Sequence, residues 1–547
     1  MTLAMCTSMS VYAAPLTPDA GQSSRELEKQ PLPPPPTTPA PIMIETDRHS
    51  VNGDDSLHIE VKGFHISGNT AFGSDALTAL LQDLIGQRLN LADLNNGVAR
   101  LTHWYHQHGY AIARAYLPPQ DIKDGIIEIR ILEGRLDQQR IDNRSGLSNQ
   151  TAAAYLDNIQ HGEILTTSGL ERGLMLLNET PGVGSARATL QPGASVGTSD
   201  LLVELTHGAP VAGSIDLDNY GNRYTGQYRV GASLAINNPM GIGDQIGIRA
   251  LTSQEHLDYV RLAYQIPVGS SGLRVGAAYS DMRYQLGKEF AVLQAGGDAA
   301  SSSVFAVYPL VRSQTASLNS TLSWEHKHLL DTTAVPESTL AKQVNLVTVG
   351  MAGTIVDGLA GGGINSIDAS LAFGHLSMDA RSLTADQQSA QSDNAFTRFT
   401  YTASRTQRLG RDDHLLMLVS GQEASKNLNS SEKFSLGGAT GVRAYPQGEA
   451  AGDRGWLTSL EWHHRTVYHT EILVFYDAGS VDINRNPFTN GSNRRTLSGA
   501  GIGLEAGWST LQLKAYMAWS LSGGPPSSEP SDATHGPRLW AQASYAF

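Results

Sequence analysis

Two hydrophobic periods divide this chain, and the change between them falls near residue 208. Before it, short alternating runs mix with longer stretches spaced by three to four. Residues 58–65 alternate, with Ile59, Val61 and Phe64 apolar, and run into the turn Ser67-Gly-Asn69. Residues 74–81 start at a Ser cap and predict a helix. A second helix is predicted over 91–108, with Leu94, Val98, Leu101 and Tyr105 on one face and Gly109 as its stop. Strands follow over 110–117 and 125–133, the latter alternating at Ile127, Ile129 and Ile131. The same β-α-α-β-β order then repeats, with a strand over 135–142, helices over 149–159 and 167–179, and strands over 185–191 and 199–206. Two small α+β units are implied, each burying one sheet face under its helices. Their free sheet edges can accept another strand.

After residue 208 only the period of two remains. Tyr228, Val230, Ala232, Leu234 and Ile236 alternate with Arg229, Gly231, Ser233 and Ala235. Val260, Leu262, Tyr264 and Ile266 repeat the scheme, and so do Leu273, Val275, Ala277 and Tyr279. Arg229, Arg249 and Arg261 all fall on the polar face. A soluble sandwich and a membrane barrel with a wet lumen both produce this alternation. The final strand favours the barrel. Leu539, Ala541, Ala543, Tyr545 and Phe547 share one face, and Phe547 is placed to seal the last strand against the first. At roughly 20 residues per strand and connection, 208–547 predicts about sixteen antiparallel strands.

Composition adds a compartment. A length of 547 residues suggests several domains, and the net charge of −13 argues against nucleic acid as a partner. No run of 18 strongly apolar residues predicts a membrane helix, but barrel strands need only about 9–11 residues each. The 56 glycines exceed the usual share of about 7%, which suits crowded strands and tight turns. The single cysteine, Cys6, rules out a disulfide within the chain. Residues 1–13 read as a signal peptide without its basic start, with Val11-Tyr12-Ala13 resembling a cleavage site. The true start is therefore expected to lie upstream of Met1. Residues 14–30 are expected to form a short helix. Residues 31–56, led by Pro31-Leu-Pro-Pro-Pro-Pro-Thr-Thr-Pro-Ala-Pro41, are expected to be a semi-rigid extended tether.

Particular motifs carry a family resemblance. Leu177-Asn-Glu-Thr-Pro-Gly-Val-Gly184 and Gly197-Thr-Ser-Asp-Leu-Leu202 lie in the second α+β unit. Tyr264-Gln-Ile-Pro267 and Tyr308-Pro-Leu-Val-Arg312 lie at strand ends. Leu436-Gly-Gly-Ala-Thr-Gly-Val-Arg-Ala-Tyr-Pro446, Gly452-Asp-Arg-Gly455 and Phe475-Tyr-Asp-Ala-Gly479 follow in order. With these motifs the chain resembles the two-partner-secretion transporters, the TpsB (ShlB/FhaC/HecB) family of the Omp85 superfamily. The resemblance implies two periplasmic POTRA domains, at 57–134 and 135–207, and an outer-membrane barrel at 208–547. It implies that 14–30 plugs the lumen. It implies a long loop folded into the lumen, with Val442, Arg443, Ala444 and Tyr445 at its tip. Arg443 is then expected to meet Asp477 on the inner wall, flanked by Phe475 and Gly479. Two departures stand out. Ala444 occupies a position where the family has Gly, which costs roughly 1 kcal/mol or more if φ is positive. Glu461-Trp-His-His464 lacks the Arg that the family often carries two residues beyond the Glu.

The implied function is transport: the POTRA domains recognise an exported TpsA-type adhesin, haemolysin or toxin, and the barrel passes it unfolded to the surface. The alternative is an Omp85-type assembly factor for other barrels. An enzyme is not expected, since neither G-x-S-x-G nor H-E-x-x-H occurs and Gly287-Lys288 lacks the upstream glycine of a phosphate loop. No cofactor and no metal are expected. His103, His106 and His108 read as solvated helix-end histidines, and the pairs His326/His328 and His463/His464 are read the same way. The expected partners are the secreted exoprotein and outer-membrane lipid with lipopolysaccharide, around a monomer.

Overall fold

The computed structural model describes residues 18–28, 43–44, 58–122, 124–157, 159, 161–467, 469–529 and 536–547. The signal-peptide reading and most of the proline tether lie outside these residues.

The first α+β unit forms where the pattern placed it. A sheet of Gly63–Ser67, Ile126–Leu132 and Arg114–Tyr116 packs under the helices Ser74–Ala79 and Leu91–Gln107. Asn90 caps the longer helix and forms a reciprocal capping box with Asp93. Gly109 follows it at φ +86°, a left-handed conformation that residues with a Cβ seldom adopt. The strand expected over 110–117 shrinks to three residues, because residues 110–113 turn toward the helix: Ala113 N–H donates to the carbonyl of Tyr110 at 3.0 Å.

At the seam between the two units, Glu133 is buried and accepts hydrogen bonds from the amides of Thr70 (2.6 Å) and Ala71 (2.7 Å) and from Tyr105 Oη (2.9 Å). The Thr70 hydroxyl donates to it as well. Burial pushes this carboxyl up, but the donors outweigh burial and hold it below its ordinary range. The stabilisation is therefore complete above the unfolded carboxylate pKa and disappears as pH falls through the lower folded one. Glu133→Gln is expected to cost about 1–3 kcal/mol at neutral pH. Hydrogen exchange at Thr70 and Ala71 should speed up in the variant at pH 7, and the two proteins should converge in strong acid.

The second unit orders its sheet as Met43–Ile44, Val183–Pro192, Thr198–His207 and Arg135–Asn143. Met43 and Ile44 pair in parallel with Thr189 and Leu190. One edge expected to be free is therefore taken by the tether, because an extended segment presents unpaired backbone groups to an open strand. This unit rests on one end of the barrel. Ser148 N–H donates to Gly241 O (2.8 Å), and Arg172 Nη2 donates to Ser271 O (3.1 Å) and Pro309 O (2.8 Å). Arg312 Nε donates to Glu179 Oε1 at 2.9 Å.

The barrel closes with 16 antiparallel strands, running from Val211–Asp218 to Arg538–Ala546. Closure leaves no strand edge facing lipid. Ser214 to Asp218 pair with Ala546 to Gln542, and Phe547 and Gly213 exchange backbone hydrogen bonds at 3.0 and 2.9 Å. The alternating faces resolve as lipid-facing and lumenal. Leu262, Phe373 and Ile502 point outward and are 53%, 50% and 51% exposed, whereas Asp218 and Arg229 pair inside at 2.8 Å. Among the described residues no helix is long and apolar enough to cross a membrane.

Candidate functional site: the occupied lumen

Two segments fill the lumen. The first is the helix Ala20–Glu28 within the 14–30 expected from the sequence; residues 18–19 precede it outside the helix, and 14–17 and 29–30 lie outside the described residues. Asp19 starts it by accepting from Gln22 N–H at 2.8 Å, and Asp331 on the wall accepts from Ala20 N–H at 2.8 Å. Carboxylates at a helix N-terminus offset its unpaired amides and positive dipole end. Ala20 and Leu27 join an apolar cluster on the inner wall with Tyr284, Leu329 and Leu346. Arg25 reaches across to Gln422 Oε1 at 3.0 Å.

The second is the connection between strands Asp413–Ala424 and Arg454–Arg465, which folds back inside. Val442 and Tyr445 are fully buried at its tip. Arg443 Nε and Nη2 donate to the two oxygens of Asp477 at 2.8 and 2.7 Å, and the Arg443 amide donates to the same carboxylate at 3.1 Å. Nη2 also lies 2.7 Å from Glu461 Oε1 and 3.1 Å from Ser459 Oγ. The guanidinium sits 3.5 Å from the centroid of the Phe475 ring, a cation–π contact. Trp540, on the last strand, donates its indole N–H to the Arg443 carbonyl at 2.7 Å.

The expected pair of Arg443 and Asp477 therefore forms, with Phe475 and Gly479 beside it, and two expectations change. The pair was expected in a wet lumen, where it contributes about 0–1 kcal/mol. Instead Arg443 is 5% exposed and Asp477 is fully buried, so losing one partner strands a buried charge. Ala444 does not adopt a positive φ, so the strain attached to its missing glycine does not arise. Its Cβ occupies the space over Gly499, where an added Cβ would come within 2.4 Å of it. Gly479 serves the same purpose at the other end of the motif, since a Cβ there would lie 2.3 Å from Leu436 Cδ1.

Three buried carboxylates that the sequence reading did not single out hold the rest of the loop. Glu432 meets Arg398, Lys327 at 3.4 Å and Arg25 of the helix at 4.0 Å. Glu449 pairs with Arg495 at 3.0 Å and accepts from the amides of Ser527 and Ser528, each at 3.0 Å. Asp453 pairs with Lys433 at 2.7 Å and accepts from the amides of Leu428 (3.0 Å) and Arg485 (2.7 Å). Asp453 lies in Gly452-Asp-Arg-Gly455, so its motif was visible although its partners were not. The reading of His463 as solvated is also overturned. Its strand turns it into the lumen, where it is 6% exposed and hydrogen-bonds Glu461 Oε2 at 2.9 Å.

Residues 197–506 match the family model described as haemolysin secretion/activation protein ShlB/FhaC/HecB, and residues 59–134 match the POTRA domain, ShlB-type. The chain is 28% identical over 473 residues to the heme/hemopexin transporter protein HuxB of Haemophilus influenzae, covering 84% of this chain and 83% of HuxB. It is 26% identical to the outer membrane transporter CdiB of Dickeya dadantii, covering 83% and 81%. Its fold is similar to that of solved CdiB from Escherichia coli, with TM-score 0.71, 20% identity, and 97% and 96% of the two chains covered. A more distant likeness is to BamA from Haemophilus ducreyi, with TM-score 0.52, 14% identity, and 90% and 100% covered. The chain belongs to the ShlB/FhaC/HecB family of two-partner-secretion transporters: a non-enzymatic outer-membrane barrel with periplasmic POTRA structure that secretes a partner exoprotein.

Proposed function

We propose that this transporter uses residues 57–134 and 135–207 as two POTRA domains to capture one TpsA-type exoprotein. It then passes the client unfolded through the lumen of residues 208–547, once the helix and the loop tip at Val442 to Tyr445 have shifted. The single observation that supports this most is the buried Arg443–Asp477 fork. It anchors a removable loop, not a wall element, across the passage.

Capture and opening are linked through the tether. An unfolded client adds a strand to an open sheet edge. The edge at Val183–Pro192 already carries Met43–Ile44, so a client strand arriving there displaces the tether. The tether continues to the helix at Ala20–Glu28, and its release frees the helix to leave the lumen. Folding of the client outside then biases its passage, which suits a compartment without nucleotide.

The name of the HuxB relatives makes a haem–hemopexin exoprotein the first client to test, within the wider class of adhesins, haemolysins and toxins. The barrel is proposed to act as a monomer, embedded in outer-membrane lipid and lipopolysaccharide through its apolar outer band. Nucleic acid has no part in this reading. Deleting the gene and surveying the secreted proteins tests the reading. One large exoprotein should disappear while other barrels keep their normal levels. A general loss of barrels would instead favour an assembly factor.

A further inference from the structure

At the POTRA end of the lumen, three side chains from three adjacent strands converge. His414 stands directly opposite His463, and Arg465 opposite Glu471, in the register of the strands Asp413–Ala424, Arg454–Arg465 and Thr470–Asp482. The two imidazoles stack with centroids 4.4 Å apart. The ligand atoms of His414, His463 and Glu471 all lie within 4.8 Å of one another.

His463 shows what this group is suited to hold. Its ring is more than nine-tenths buried, yet Nδ1 has no hydrogen-bond partner among the described residues. That nitrogen faces Glu471 Oε2 at 3.6 Å. The other nitrogen, Nε2, is engaged with Glu461 Oε2 at 2.9 Å. With a carboxylate holding the proton on Nε2, the neutral form of the ring would direct its lone pair from Nδ1 into the cluster. Buried polar atoms are rarely left unpaired, and this one is prepared as a ligand.

We propose that His414, His463 and Glu471 bind a divalent transition metal, with Zn²⁺ as the physiological ion and water as its fourth ligand. Two imidazoles and one carboxylate suit zinc chemistry, whereas Mg²⁺ and Ca²⁺ prefer oxygen donors. Zinc bonds of about 2.0–2.1 Å place tetrahedral ligands about 3.3 Å apart, so atoms now within 4.8 Å of one another must close by up to about 1.5 Å. His414 and Glu471 are only partly buried and can make that movement. Arg465 touches Glu471 Oε1 at 3.4 Å and leaves Oε2 for the metal.

The metal also acts on the loop. Glu461 receives the His463 proton with one oxygen and meets Arg443 with the other at 2.7 Å. Zinc on Nδ1 makes Nε2–H a stronger donor and fixes Glu461 against the loop-tip guanidinium. Glu461 is thus a positioning residue between the metal and the loop. The effect on gating rests on the loop reading given above, whereas metal binding does not.

The test is calorimetric titration of ZnCl₂ into the full-length, untagged, chelator-stripped protein in detergent, with parallel titrations of His414→Ala and Glu471→Gln. One zinc per chain is expected, lost or weakened at least tenfold in both variants. Glu461→Gln is expected to weaken it about 10–100-fold. Absence of stoichiometric binding in the wild type, or equal binding in His414→Ala and Glu471→Gln, overturns the site. Zinc should then reduce channel openings in planar bilayers for the wild type and not for His414→Ala. Binding without this difference retains the site and removes its link to the loop.

Discussion

Arg443→Ala is expected to leave the barrel inserted in the outer membrane at normal levels and to cut secretion of the exoprotein below a tenth. The barrel survives because its strands pair through their backbones: Ser459 opposes Asp477 whether or not the loop tip is present. The loop does not keep its seat. Asp477 is fully buried and loses both guanidinium donors; with the loop seated it keeps only Ser459 Oγ at 2.8 Å and the amide of residue 443 at 3.1 Å, and the latter is lost when the loop leaves. Removing one partner of a buried pair costs about 3–5 kcal/mol, a shift of roughly two to four decades in the loop's seating equilibrium. Arg443→Lys keeps the charge but offers no fork, so it should fall between wild type and Ala. The Arg443→Ala, Asp477→Ala double variant removes the stranded carboxylate and should recover protease resistance of the loop without recovering secretion. Immunoblots of exoprotein and barrel, with limited proteolysis of intact cells, read all three. Normal export from Arg443→Ala would end the role given to the loop tip.

Deleting residues 20–28 should raise single-channel conductance by about twofold or more and sensitise cells to large antibiotics. A helix with its side chains is about 10–12 Å across, a large part of the bore of a sixteen-stranded barrel. The deletion takes Ala20 and Leu27 from the inner apolar cluster, and Arg25 from Gln422 and Glu432. It leaves Glu432 paired with Lys327 and Arg398, so the loop should remain folded and opening should be partial. Combining the deletion with Arg443→Ala should open the pore more than either change alone. Planar-bilayer recording decides this, and unchanged conductance after the deletion would exclude the helix as the plug.

The two predictions differ in how far the sequence anticipated them. The fork between Arg443 and Asp477 was legible because both residues sit in recognisable motifs. The acid partners Glu432, Glu449 and Asp453 were not legible as a set, since Glu432 and Glu449 find their cations on strands remote in sequence and Asp453 finds Lys433 only because the loop folds back on itself. Lys327 and Arg398, for example, meet Glu432 across the lumen.

What the sequence determined by itself is local: the period of two after residue 208, the repeated β-α-α-β-β order before it, and the capped helix at Leu91–Gln107. These follow from side-chain direction along a single segment, which neighbours in sequence are enough to set. Only the tertiary structure decided which face of each strand is lumenal, how the sixteen strands register, and which charges are buried. It also decided that Met43–Ile44 fills a sheet edge, and that His414, His463 and Glu471 share one corner of the wall. Alternation fixes that a strand has two faces, but cross-strand neighbours depend on register, and register depends on pairing between distant segments.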